Sequence, residues 1–182
     1  MALVPYLDVD QVPEEHRHLL ERPINLFRAL SNSPEGLARF HPLGEWIRWD
    51  CALDPRLREL LILQVGYLAR DPYEWSHHVV ISRRFGVSDE DIEGLVAFTA
   101  GEPTTLSDLD RIVLRAATEL TLERRLSDGA VASLSEHFDD QGLTDIVLVA
   151  SFYNMVVRVL GGLRIEVEPG TEYAEALERF PV

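Results

Sequence analysis

The sequence contains no lysine: all 17 of its basic residues are arginine. Schiff-base chemistry and a lysine general base are therefore excluded. It has one cysteine, Cys51, so neither an intrachain disulfide nor a multi-thiolate metal site can form. Cys51 lies in WDCALD, just before a strong helix start, where a small half-buried residue is expected and not a nucleophile. No alternating apolar pattern marks a strand, and no fixed-period repeat is present. The longest uncharged apolar-rich run, Ile146 to Val157, is too short to span a bilayer and predicts a buried helix. The N-terminus, MALVPYLDVD, lacks the basic and apolar regions of a secretory leader. Positive charge is also scarce. The formal charge is −14, and so acidic a surface repels phosphate backbones, which argues against a nucleic-acid partner. The expectation is a soluble cytoplasmic protein that contacts neither nucleic acid nor membrane.

What is present predicts a helical body. Hydrophobic residues make up 46% of 182, enough for one domain with a core. The reading is all-α, a single-domain helical bundle of about seven to eight helices over residues 1–182. Residues up to about 12 form an arm that drapes over the body or reaches a second subunit, and an irregular acidic tail begins at about 165. Pro13-Glu14-Glu15 opens a helical stretch that Pro23 interrupts. Ser33-Pro34 starts the next helix, whose Phe40, Trp46 and Trp49 suggest an aromatic wall of the core or of a pocket. His41, inside that wall, is expected as a packed core histidine. Further helices are expected from Leu106 to Arg125, from Ser127 onward, and from Gly142 to Leu160.

The chain is organised around Asp54 to Gly86, read as two consecutive helices. Asp54-Pro55 and Asp71-Pro72 are both cap-plus-proline starts, and Gly86 is a stop. The first helix is apolar nearly all round, so it should be buried on most sides. Glu59 lies on its Ile62, Leu63 and Gly66 face, where lost water should raise its pKa unless a positive partner compensates. Arg56 and Arg58 point elsewhere on the wheel. Gly66 leaves room for another helix or a substrate to come close. On the second helix Glu74 and His78 are four apart, so the carboxylate can orient the ring. Glu59, Glu74 and His78 are the candidate catalytic groups. Asp71, Trp75, His77 and Trp46 are the candidate pocket or rim residues, with His77 one step away from His78.

This pair of helices, RELLILQVGYLA…PYEWSHHVVISRRFGVSDEDI, resembles the carboxymuconolactone decarboxylase family, the alkylhydroperoxidase D-like fold. The likeness extends more weakly through SEHFDDQGLTDIVLVASFYNMVVRVLGGLRIEVE. The peroxidase branch of that family uses a glutamate, a Cys-x-x-Cys pair and a histidine nineteen positions after the glutamate. Glu59 and His78 stand at the outer two places, while Asp71 and Glu74 stand where the cysteines would be. The resemblance implies the branch without cysteines and not a dithiol peroxidase, which needs two thiols. A peroxiredoxin label inherited from the family would lack chemical support here. Many relatives without the cysteines carry a basic residue where Gln64 stands.

The decarboxylase branch works on a small carboxylated lactone by proton transfer without a cofactor, and relatives assemble as dimers, trimers or hexamers. The resulting expectation is a cofactor-independent acid/base enzyme, lyase-like, acting on a small organic acid or lactone as a homo-oligomer. Two alternatives stand beside it. One is a metal-dependent enzyme using the Glu59, Glu74, His77 and His78 cluster. The other is a non-catalytic oligomeric module, favoured if no cavity reaches those groups.

Overall fold

The computed structural model describes residues 1–182, and no strand occurs among them. Two short 3₁₀ segments, Val9–Gln11 and Glu14–Leu20, precede α1 (Asn25–Leu30) and α2 (Pro34–Trp49). The central pair is α3 (Pro55–Ala69) and α4 (Pro72–Ile81), the latter extended by a 3₁₀ turn at Ser82–Phe85. Then follow α5 (Asp89–Ala100), α6 (Asp108–Leu122), α7 (Asp128–Ser135), α8 (Asp140–Leu163) and α9 (Glu172–Arg179). The all-α expectation holds, with nine α-helices where seven to eight were expected.

Two stretches differ from the expectation. The stretch after Pro13 is 3₁₀ and not α. The tail is not irregular: α9 forms in it and packs against α4. Its helical signal is only two turns long, and its apolar residues are no more than half-buried. Such a helix depends on its neighbour, and a sequence does not name the neighbour. The N-terminal arm drapes over its own chain. Leu3 N–H donates to the Leu163 carbonyl (2.9 Å), Leu7 N–H to the Arg28 carbonyl (3.2 Å), and Glu166 N–H to the Tyr6 hydroxyl (2.9 Å).

The apolar circumference of α3 is explained by what surrounds it. Leu57, Leu61, Ile62 and Val65 belong to a large core cluster shared with α6 and α8. Leu60 and Leu63 belong to a second cluster with Trp75, Val79, Ile92 and Leu95 of α4 and α5. A helix wedged between two cores must be apolar on both sides. Helix α8 is long and apolar enough to cross a membrane by length and composition. Its apolar face is instead committed to the core, where Ile146, Val149, Ala150, Phe152 and Val156 pack on α3 and α6.

Both central helices start as the sequence predicts. The Asp54 carboxylate accepts from Leu57 N–H (3.0 Å), and the Asp71 carboxylate from Glu74 N–H (2.9 Å). Between them Arg70 takes the left-handed conformation (φ 50°), and Asp71 N–H closes onto the Gly66 carbonyl (3.2 Å). This reversal lays the first turn of α4 against Gly66. A Cβ there would sit 3.3 Å from Trp75 N and 3.4 Å from Glu74 Cγ. Gly66 therefore admits a helix, not a substrate, and that approach carries Glu74 and His78 toward Glu59.

Candidate active site

Glu59 and His78 meet inside the protein. Glu59 Oε2 lies 2.8 Å from His78 Nδ1, and both side chains are buried. The other oxygen of Glu59 accepts from Arg58 Nη2 (3.1 Å), and the Arg58 guanidinium covers the Phe85 ring at 4.6 Å. The expectation that Arg58 points elsewhere is corrected: its long side chain folds back along the helix to the adjacent carboxylate. Burial alone would raise the Glu59 pKa, but the His78 ring and Arg58 outweigh it and hold the carboxyl below its ordinary value. Glu59 is thus an ionised group that fixes His78 from behind.

Glu74 is the opposite case. Its Oε1 lies 3.2 Å from His78 Nε2, but the alignment is not that of a hydrogen bond, and this buried oxygen has no hydrogen-bond partner. Burial pushes the Glu74 carboxyl up to about 7, with the nearby Asp71 and Glu59 carboxylates adding to the rise and His78 opposing it. The sequence reading made Glu74 the group that orients the imidazole. The geometry reverses this: Glu59 orients the ring through Nδ1, and Glu74 stands on the far side with an oxygen free. Helical spacing gives the i, i+4 pair but not which carboxylate wins the better-aligned nitrogen.

Glu74 borders a hollow. It is a narrow cavity of about 60 Å³, and Glu74, His77 and His78 line it. The remaining wall comes from Arg22 and Ile24 just before α1 and from α1, α2, α4 and α8, with Phe27, Phe40, Phe152 and Tyr153 among its rings. Tyr153 meets His78 edge-on at 5.0 Å. Burial, together with the Glu74 and Glu59 charges, raises its phenol well above the ordinary range, so it acts as a neutral hydroxyl. The hollow continues outward into a larger groove, with Arg22, Phe27, His41, Glu45, Arg48 and Ile81 common to both.

Several expected pocket residues lie elsewhere. Trp75 is wholly buried in the second core cluster, and its indole N–H donates to the Phe180 carbonyl (2.6 Å). Trp46 packs against the large core and does not line the hollow. An aromatic at the right distance along a sequence does not reveal which of two cores it enters. Asp71 caps α4 and stays outside the lining, with its carboxyl raised by burial. His77 does line the hollow but is no exposed rim residue. It is stacked between Tyr73 (4.0 Å) and Tyr173 (3.7 Å), with Nε2 2.8 Å from Glu168 Oε2. His41, expected in the core, lines the hollow against Phe27 (5.1 Å). Gln64 is buried and donates to Thr99 and Thr118 (3.0 Å each), away from the hollow. Cys51 is also remote, its thiol 3.7 Å from Asp145.

Glu168 was missed by the sequence reading. Its carboxylate accepts from Asn25 N–H (2.6 Å) and the Tyr73 hydroxyl (3.0 Å) besides facing His77. Partial burial would raise its pKa, but the facing His77 ring and the Asn25 N–H outweigh that and lower it to about 2. Burial meanwhile lowers His77 despite the facing carboxylate, so at neutral pH the ring is a neutral donor. Tying the tail to α1 and α4 closes one wall of the site. No local signal in EVEPG announces such a role, because all the partners are more than ninety residues away in sequence.

Nowhere do three or more His, Cys, Asp or Glu side chains converge in a way that could hold an ion. Glu59 and Glu74 flank the two nitrogens of one ring, and His77 is engaged by Glu168.

Residues 34–107 match the model of the carboxymuconolactone decarboxylase family. The match runs from α2 to the approach of α6, and the resemblance read in the sequence holds over that stretch. No curated protein matches it. Among solved structures it resembles the alkylhydroperoxidase AhpD core of an uncharacterised peroxidase-related protein from Ralstonia eutropha JMP134, with 18% identity, 92% and 93% of the two chains covered, and a TM-score of 0.79. An uncharacterised peroxidase-related protein from Silicibacter sp. TM1040 is similar at 21% identity, 93% and 94% coverage and a TM-score of 0.76. The debrominase Bmp8, as a cysteine-to-alanine variant in complex with 2,3,4-tribromopyrrole, gives 16% identity, 98% and 97% coverage and a TM-score of 0.76. The fold is AhpD-like.

Proposed function

We propose that the protein is a cofactor-independent acid/base enzyme that moves a proton at carbon in a small, largely apolar organic acid or lactone, with decarboxylation as the reaction that best suits the site. The observation that carries this reading is the Glu74 carboxyl: buried, unpaired at one oxygen, poised at about 7 and bordering the hollow. An acid of that strength gives up and regains protons near neutral pH. In the reaction the bond to the substrate carboxylate breaks, CO₂ departs, and the electron pair remains as an enolate on the adjoining carbonyl system. Glu74 then delivers its proton to the carbon. His78, 3.2 Å away and backed by Glu59, returns a proton drawn from solvent. Thiol-dependent chemistry has no support, since Cys51 lies outside the hollow. The debrominase complex supports a small planar ligand, because a similar fold holds a tribromopyrrole.

The test is turnover of a panel of small β-keto acids and carboxylated lactones, followed by CO₂ release and by deuterium uptake at carbon. Glu74→Gln should lower kcat by about 100-fold or more, the usual worth of a positioned proton donor. Wild-type kcat should fall as pH rises through about 7, because the protonated carboxyl is the working form. Equal turnover in wild type, Glu74→Gln and His78→Ala would end the proposal. A non-catalytic module is the weaker reading, since a cavity does reach Glu74 and His78.

A further inference from the structure

We infer that the ligand of this hollow is a carboxylate whose anionic end is gripped at the neck by Arg22 and Arg48. This inference rests on the acid/base reading for the chemistry but on separate residues for its support. Six arginines of the chain are partly or fully buried: Arg22, Arg28, Arg48, Arg56, Arg58 and Arg111. Four of them pair with a carboxylate. Arg28 meets Asp8, Arg56 meets Asp91 and Asp110, Arg58 meets Glu59, and Arg111 meets Asp108. Arg22 and Arg48 pair with none, although the chain carries 31 acidic residues. They are also the two arginines that line both the hollow and the groove outside it.

The exception is chemically specific. A half-buried guanidinium has lost part of its hydration and keeps five N–H donors in a planar fork suited to a carboxylate. Glu45 shares both walls and Glu21 and Glu172 share the groove, yet none forms an ion pair with either arginine. Glu45 instead accepts from the Trp49 indole (3.1 Å). The positions are also right for a ligand that reaches the proton donor. Arg48 lies close enough to Glu74 and Tyr153 for its charge to favour their ionised forms, and Arg22 lies close enough to His77 for its charge to disfavour the protonated ring. Beyond the neck the walls are Phe27, Phe40, Phe152 and Val156. A ligand that matches has one anionic end and a small apolar body: an aromatic, unsaturated or short aliphatic monocarboxylate. In an overall acidic protein, a local pair of uncompensated cations also draws such an anion toward this opening.

The experiment uses the full chain and calorimetric titration with benzoate, cinnamate and hexanoate, each beside its neutral amide, with inorganic phosphate as a separate arm. At least one acid should bind at least about 10-fold tighter than its amide, the scale of a charge-assisted contact. Arg48→Gln and Arg22→Gln should each weaken that acid by about 10-fold or more while leaving the amide unchanged, and Arg48→Lys should lie between. Phosphate should bind more weakly than the best acid, because it leaves the apolar walls uncovered. Four results overturn the inference: acids and amides binding alike, no acid binding at about 10 mM, variants that keep full acid affinity, or phosphate binding tightest. The comparison of acid with amide on the wild type stands even if a variant folds poorly. Glu74→Gln separates the two readings. Arginine-dependent acid binding with turnover indifferent to Glu74→Gln keeps the anion grip and ends the acid/base mechanism. The reverse pattern ends the grip alone.

Discussion

Glu59 and Glu74 are both buried glutamates within reach of the same imidazole, and they are driven in opposite directions. Glu59 has Arg58 and a well-aligned ring nitrogen, so it stays ionised. Glu74 has neither and is pushed up to about 7. A carboxyl whose pKa is raised on folding holds its proton after the unfolded chain has released it. The associated stability is complete below the ordinary 4.5 and is lost as pH rises to about 7. Glu74→Gln, which stays neutral, should therefore match the wild type near pH 4.5 and exceed it at pH 8 by roughly 3 kcal/mol. Urea melts at both pH values check this. A constant difference across that range would mean that Glu74 titrates as an ordinary glutamate.

At the scale of elements, the site depends on how closely α4 approaches α3. That distance is set at Gly66, where a Cβ would press on the backbone nitrogen of Trp75 at 3.3 Å. Backbone cannot swing aside as a side chain can. Gly66→Ala should therefore cost about 1 kcal/mol despite the better helix propensity of alanine. It should also lower kcat more than it raises KM, because Glu74 is displaced relative to His78. Chemical denaturation and steady-state kinetics measure the two effects, and a more stable, fully active variant would refute this account of the pair. The tail supplies the opposite lesson. Helix α9 was not predicted, yet with Glu168, Tyr173 and Phe180 it encloses His77 and Trp75.

At the scale of the whole molecule, the family likeness implies assembly, and we propose that the protein is a homo-oligomer in solution. Light scattering at about 10 μM should give a mass at least twice the 20.6 kDa of one chain. A mass of one chain at that concentration would remove assembly from the account.

The sequence by itself determined the helical class, both cap-and-proline starts, the burial of α3 on two sides, the lack of a Cys-x-x-Cys pair and the candidates Glu59, Glu74 and His78. Each of these follows from residue type and from spacing within one or two turns, and such relations are local. Only the tertiary structure decided that Glu59 and not Glu74 holds the ring. It alone placed Trp75 in one core and Trp46 against the other, brought Arg22 and Arg48 to the neck of the hollow, and joined Glu168 to α1 and α4. These depend on which distant segments pack together and on which donor or acceptor is left over once they have, and no local period in the chain carries that information.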